Sequence, residues 1–300
     1  MRATERILRW GLVLAYFLAT SLGHLAFTEW LLQPRESAWL GGYAFKNAVP
    51  ALLVAAAVLL LAWVWRTALR DPRGFWATGW VWLAWAACVA TVDRLLTYSV
   101  YEYAHYPQYA LLAWLVARAL DPERTGRRNA RILFWTTLLG MVDECMQYLW
   151  VTPTYGNYLD FNDFVVNLLG AAAGLALTRA VPAAAVPARR AAARTEWCVA
   201  AGLALVVAGA MLGGRLVLSP AAGLTVPPGG WATGPDGVAR LYLQRAAGWY
   251  GSVQEGPHRG HYRILGPQEG LLALVLAGLV FSWSPQPRRS QAAPGPLHGA

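Results

Sequence analysis

The residues best suited to chemistry in this chain are carboxylates and amides gathered in two stretches. The first is Asp143-Glu144-Cys145-Met146-Gln147; the second begins Asp160-Phe161-Asn162-Asp163 and continues through Asn167 to Gly170 and Gly174. A third stretch, Glu102-Tyr103-Ala104-His105, sets a carboxylate and an imidazole three residues apart, with Tyr109 a turn further on. Each lies at the edge of an apolar run, in a chain that is 57% hydrophobic and only 14% charged. Hydrocarbon penalises every ionisable group, so a cluster of them at the ends of apolar helices marks a functional-site candidate.

Spacing tells which of these groups share a face. At 100° per residue, Asp160, Asp163, Asn167, Gly170 and Gly174 fall within a stripe about 80° wide. Glu144 and Gln147 share a face of the preceding helix, one turn apart. Several chemistries are open to such a set. Closely spaced carboxylates divide into a general acid and a general base, which casts Glu144 and Asp163 as that pair with Glu102 and His105 alongside. Gln147, Asp160 and Asn167 would then orient a bound molecule. A proton or ion relay uses the same residue types. A Glu-x-x-His helix facing a second carboxylate helix can also hold metal ions. Here the second arm ends in the neutral amide of Gln147, a poor ligand, so neither a metal nor a cofactor is expected. The plainest alternative is an interhelical hydrogen-bond network that only fixes packing, at about 0.6 kcal/mol per contact. Asp93 and Arg94 read as an interfacial ion pair.

The elements that must position these groups read as membrane helices. Apolar runs of roughly 20 residues lie near 7–27, 48–65, 75–93, 106–120, 131–150, 162–180, 196–217 and 268–284. The expected fold is an all-α polytopic transmembrane bundle of about eight spans, with both termini cytoplasmic. That orientation puts 17 basic residues inside and 8 outside, as the positive-inside rule requires. The loops at 94–105, 151–161 and 218–267 then face outward, together with the polar helix ends. Gly170 and Gly174 form a GxxxG pattern that admits a close neighbour, and the fifth span, joined by the short loop Val151–Phe161, is the expected partner.

The organisation along the chain is an N-terminal helix and outer loop (1–44), a core (45–180), a cytoplasmic linker (181–195), a helix pair with the long outer loop 218–267 (196–284) and a disordered tail (285–300). The long loop is rich in Gly and Pro, with a strand-like piece at Val238–Leu243, and reads as a solvated lid. The alternative is a small β-containing cap whose Arg240, Arg245, His258, Arg259, His261 and Arg263 would face anionic lipid or cell-wall groups. The 16 Trp and 13 Tyr gather near span ends and serve as interfacial anchors. The net charge of +9 resides in short loops between apolar runs, so it sets orientation and no nucleic-acid partner is expected. Cys88, Cys145 and Cys198 lack paired spacing and give neither a disulfide framework nor a zinc signature. The expected partners are membrane lipid and a lipid-linked or cell-wall-derived molecule; oligomeric state is not set by the sequence.

Glu144-x-x-Gln147, a short outer loop, and Asp163-x-x-x-Asn167-x-x-Gly170-x-x-x-Gly174 resemble the signature of the VanZ-like family of small polytopic membrane proteins. Glu102-x-x-His105-x-x-x-Tyr109 is similar to that family's other recurrent motif. The resemblance covers about residues 45–180. It implies a bacterial inner-membrane protein of the cell envelope with an antibiotic-resistance-type role, since the founding member is linked to resistance to teicoplanin. No reaction is implied, so an ion-coupled transporter and a non-catalytic membrane scaffold stand as alternatives. Family members usually carry an Arg in the loop before the motif Asp. Here Val151–Phe161 holds no basic residue, and Asn157 or Asn162 is what remains.

Overall fold

In the computed structural model, the described residues are 3–32, 48–70, 72–123, 128–154, 156–179, 194–234 and 236–282. The expected linker and tail lie outside them, apart from the linker's last two residues, as do Arg124 and Arg127. Eight α-helices are present among the described residues: α1 (Ala3–Leu32), α2 (Ala48–Arg70), α3 (Pro72–Leu95), α4 (His105–Leu120), α5 (Asn129–Met146), α6 (Phe161–Arg179), α7 (Arg194–Leu212) and α8 (Pro267–Ser282). A 3-10 turn, Val100–Ala104, leads into α4, and a π-helical turn, Gln147–Val151, ends α5.

The eight-span all-α bundle is not what the chain forms. A helix occupies each expected stretch, yet only α6 and α7, among the described residues, are long and apolar enough to cross a membrane. The reasons are local. Helices α4 and α8 have only 16 residues each. Helix α5 carries Asn129, Arg131, two threonines, Asp143 and Glu144 within its 18 residues. The two qualifying helices also differ in kind. The apolar window of α6 is 83% buried inside the protein, whereas that of α7 is 6% buried. Apolarity in α6 therefore reflects its place at the centre of the fold, with α4, α5, α3 and α8 packed around it.

The chain is not all-α either. Residues after α7 build two small sheets. One has the order β1-β3-β2, from β1 (Leu216–Val217), β2 (Trp231–Thr233) and β3 (Ala239–Tyr242), with β1 parallel and β2 antiparallel to β3. The other is a hairpin of β4 (Val253–Gly256) and β5 (Gly260–Arg263). Gly260, at φ +84°, adopts the left-handed conformation that such a tight turn needs. Instead of a solvated lid, these strands make a cap tied to the helices. Leu159 N donates to Leu243 O, Arg245 N to Asn157 O, and the Tyr148 hydroxyl to Tyr242 O. The Tyr250 hydroxyl bonds the carbonyls of both Leu159 and Leu243.

Small residues set the central packing. A Cβ on Gly170 would lie 2.9 Å from the carbonyl oxygen of Tyr106, and one on Gly174 would meet the backbone of Ala110, 2.8 Å from its Cα. The glycine face of α6 thus receives α4, not α5, the expected partner. Helix α5 approaches through its own Gly140, where a Cβ would lie 3.1 Å from the Tyr109 ring and 3.2 Å from Asn167 Cβ. The core beneath is apolar: Leu112, Ala113 and Val116 of α4 and Leu168, Leu169, Ala172 and Leu175 of α6 are buried together.

Candidate functional site

The polar residues collect at one end of this bundle because three helix ends meet there. His105 is the first residue of α4, Glu144 lies in the last turn of α5, and Asp163 in the first turn of α6. One ligand-capable atom from each, an imidazole nitrogen and two carboxylate oxygens, lie within 4.8 Å of one another. His105 Nδ1 is 3.9 Å from Glu144 Oε1. Glu144 Oε1 also accepts a 2.9 Å hydrogen bond from Asn167 Nδ2, one turn deeper on α6. The imidazole stacks on the Tyr109 ring at 6.0 Å and 9°, so its plane is held by packing.

The remaining expected residues take distinct places. Asp160 precedes α6 and acts as its N-cap: its Oδ1 accepts from the backbone N–H of Asn162 at 2.8 Å and of Asp163 at 3.3 Å. It therefore closes the helix start and does not extend the helical stripe. Glu102 completes a capping box with Ser99, its carboxylate accepting from the N–H groups of Tyr98 and Ser99. Gln147 opens the π-helical turn, and its Nε2 is buried with no hydrogen-bond partner. Such turns recur at functional sites. Gly170 and Gly174 lie beneath the polar end and let α4 carry His105 up against α6.

Burial and mutual repulsion govern the charges at the mouth of this site. Burial, then the charges of Asp163 and Asp160, push the Glu102 carboxyl up to about 10. Burial, then the charge of Asp163, push Asp160 up to about 8, against the lowering effect of its two backbone hydrogen bonds. Both groups thus favour the protonated form at neutral pH.

Four roles were not assigned from the sequence, although Asp143, Asn162 and Asp93 stand among the residues quoted from it. Asp143, 1% exposed, accepts a 2.5 Å hydrogen bond from the Tyr109 hydroxyl, while its Oδ1 is buried and accepts none. The Tyr109 hydroxyl reaches it from α4. Asn162 is a clamp: its Nδ2 donates to Leu96 O and Arg263 O, and its Oδ1 accepts from Leu265 N. Asp93, expected to pair with Arg94, pairs instead across the fold with His258 and Arg259 of the cap hairpin and accepts from the Tyr103 hydroxyl. The fourth is the metal-capable set itself. Pairing Glu102 with His105 by spacing concealed it, because the structure sets His105 beside Glu144 and Asp163. Only the partial signal of a Glu-x-x-His motif was available beforehand.

No family model matches the chain, and no curated protein and no solved structure matches it.

Proposed function

We propose that this is a VanZ-like, multi-pass protein of the bacterial inner membrane, with a pocket that binds or modifies a lipid-linked or cell-wall-derived molecule at the outer leaflet. The observation that carries this reading is the convergence of His105, Glu144 and Asp163 within 4.8 Å, beside polar atoms left without partners. Asp163 Oδ1 and Gln147 Nε2 are buried and make no hydrogen bond. A buried polar group without a partner costs about 1–3 kcal/mol, a cost a packing network would avoid and a ligand would recover.

Surface chemistry supports the membrane setting. Leu52, Leu59 and Leu61 of α2, Leu205 and Val206 of α7, and Leu272 and Leu279 of α8 are all exposed. Apolar surface on that scale is foreign to a protein whose solvent is water. Basic groups gather at the end of the bundle away from the pocket: Arg9 donates to Arg118 O, Arg128 to Leu120 O, and Arg131 pairs with Glu196. By the positive-inside rule that end is cytoplasmic, which turns the pocket and its cap outward. The polar groups stop near the helix ends, above an apolar core, which favours a surface site over a carrier with groups at the midplane.

Within the pocket, Glu144 and Asp163 form the acid/base pair. Asn167 fixes Glu144, and Asp163 is left open towards a ligand. The amide of Gln147 is available to donate to an oxygen of the bound molecule. Replacing Glu144→Gln and Asp163→Asn in cells, with protein abundance and teicoplanin sensitivity scored separately, tests the reading. Loss of phenotype at normal abundance is expected; full function in both variants would refute the acid/base roles.

A further inference from the structure

We infer that His105, Glu144 and Asp163 together hold one divalent first-row transition-metal ion between α4, α5 and α6. The inference rests on the reading of this pocket as a functional site, though not on the identity of its larger ligand. Three observations carry it.

The first is the donor set. One imidazole nitrogen and two carboxylate oxygens from three different helices lie within 4.8 Å of one another. Ligands at about 2.1 Å in a tetrahedral site stand roughly 3.4 Å apart. His105 Nδ1 and Glu144 Oε1 are 3.9 Å apart, near that value. Nitrogen and oxygen donors in this mixture suit Zn2+ or Mn2+ better than Ca2+, which takes oxygen alone.

The second is a buried carboxyl oxygen, on one of the three donors, that has no hydrogen-bond partner. Asp163 Oδ1 is shielded from solvent and accepts no hydrogen bond, although Asp163 is one of the three donors. Asp143 Oδ1, on the neighbouring residue to Glu144, is in the same condition. Buried carboxylate oxygens ordinarily have donors or a cation before them.

The third is charge balance. Asp143, Glu144 and Asp163 lie close enough for their charges to oppose one another. Among the described residues, no Arg or Lys forms an ion pair with any of them. The arginines that do form ion pairs meet Glu5, Glu196, Asp236, Asp93 and Glu269 instead. A divalent ion supplies the missing positive charge. Two supports around the donors match what metal sites use to fix their ligands. Asn167 donates to Glu144 Oε1, and Tyr109, bonded to Asp143, stacks on His105. Three protein ligands leave a coordination position open, as catalytic rather than structural metal sites do. A phosphate or carbonyl oxygen of the pocket's ligand would fit there.

The test uses the full-length protein in detergent, stripped with chelator and titrated with Zn2+ by calorimetry, with Co2+ absorption followed in parallel. One saturable equivalent per chain is expected, weakened at least tenfold by Asp163→Asn and by Glu144→Gln. Glu255→Gln, on the exposed face of the cap hairpin, should bind as the wild type does. Absence of saturable binding to the wild type overturns the inference, and so does unchanged affinity in both pocket variants. If a variant fails to fold, the wild-type Co2+ spectrum decides: intense tetrahedral bands support the site, and the weak spectrum of the hydrated ion refutes it. The two proposals fail separately. No metal with a lost resistance phenotype leaves the pocket standing and removes the ion; bound metal with an intact phenotype does the reverse.

Discussion

At the scale of single residues, the main feature is that carboxylates sit where burial and each other's charge oppose ionisation. Glu102, pushed to about 10, and Asp160, pushed to about 8, are protonated in the folded protein at neutral pH and ionised in the unfolded chain. A group with its folded value raised this way contributes stability that is complete below the unfolded value, near 4, and lost as pH rises through the folded value. Thermal stability in detergent should therefore fall between about pH 5 and pH 9. The slope is on the order of 1 kcal/mol per pH unit for each group within its own window. Asp160→Asn and Glu102→Gln keep the capping oxygens while removing the titration, so each should flatten the dependence. A thermal midpoint that rises with pH in the wild type, or variants as steep as the wild type, would show these carboxyls to be ordinary exposed ones.

At the scale of elements, the α4–α6 contact governs whether the site exists, because it carries His105 to Asp163. A Cβ at Gly174 would strike the backbone of Ala110, which cannot swing aside as a side chain can. Gly174→Ala should therefore cost about 1–3 kcal/mol through overpacking. Gly202→Ala in α7, where nothing lies within 4 Å, should be neutral or stabilise by about 0.5–1 kcal/mol. Equal thermal midpoints for the two variants would remove the close approach from the account. How far such features can be read from sequence follows from what periodicity measures. It fixes a face, so Asp163, Asn167, Gly170 and Gly174 were legible as one stripe. It does not fix the neighbour, so α5 was expected where α4 packs. Nor does it separate a helix buried in protein from one buried in lipid. Both need apolar side chains all round, and α6, long and apolar enough to cross a membrane, is 83% buried within the protein. Asp160 illustrates a competing local rule: an Asp two residues before a backbone N–H caps a helix start, and that chemistry takes precedence over the helical angle. The clamp at Asn162 and the Asp93–His258–Arg259 contact join residues more than a hundred positions apart, and no local pattern encodes them.

At the scale of the whole molecule, a polar cluster sits at one end of an apolar core, with two small sheets tied nearby and apolar side chains exposed on α2, α7 and α8. The cap is fastened at several independent points: to Asn162, to Asp93, to the Tyr148 hydroxyl and to the backbone at Leu159. Those ties join the cap to Asn162 at the start of α6 and to Tyr148 beyond α5, near the carboxylates Asp163 and Glu144. The central claim is that the carboxylate cluster is maintained for a ligand and not for packing. A site kept for function is commonly held at some cost to stability, so neutralising it should relieve the fold. The most direct measurement is the thermal midpoint of chelator-treated Asp163→Asn against the wild type at neutral pH. The Asp163 carboxylate makes no side-chain hydrogen bond among the described residues, and its Oδ1 is buried. The account predicts a midpoint unchanged or raised by a few degrees, even after allowing for about 0.3–1 kcal/mol of lost helix N-terminal attraction. A fall beyond that allowance would contradict it and make the cluster a structural network.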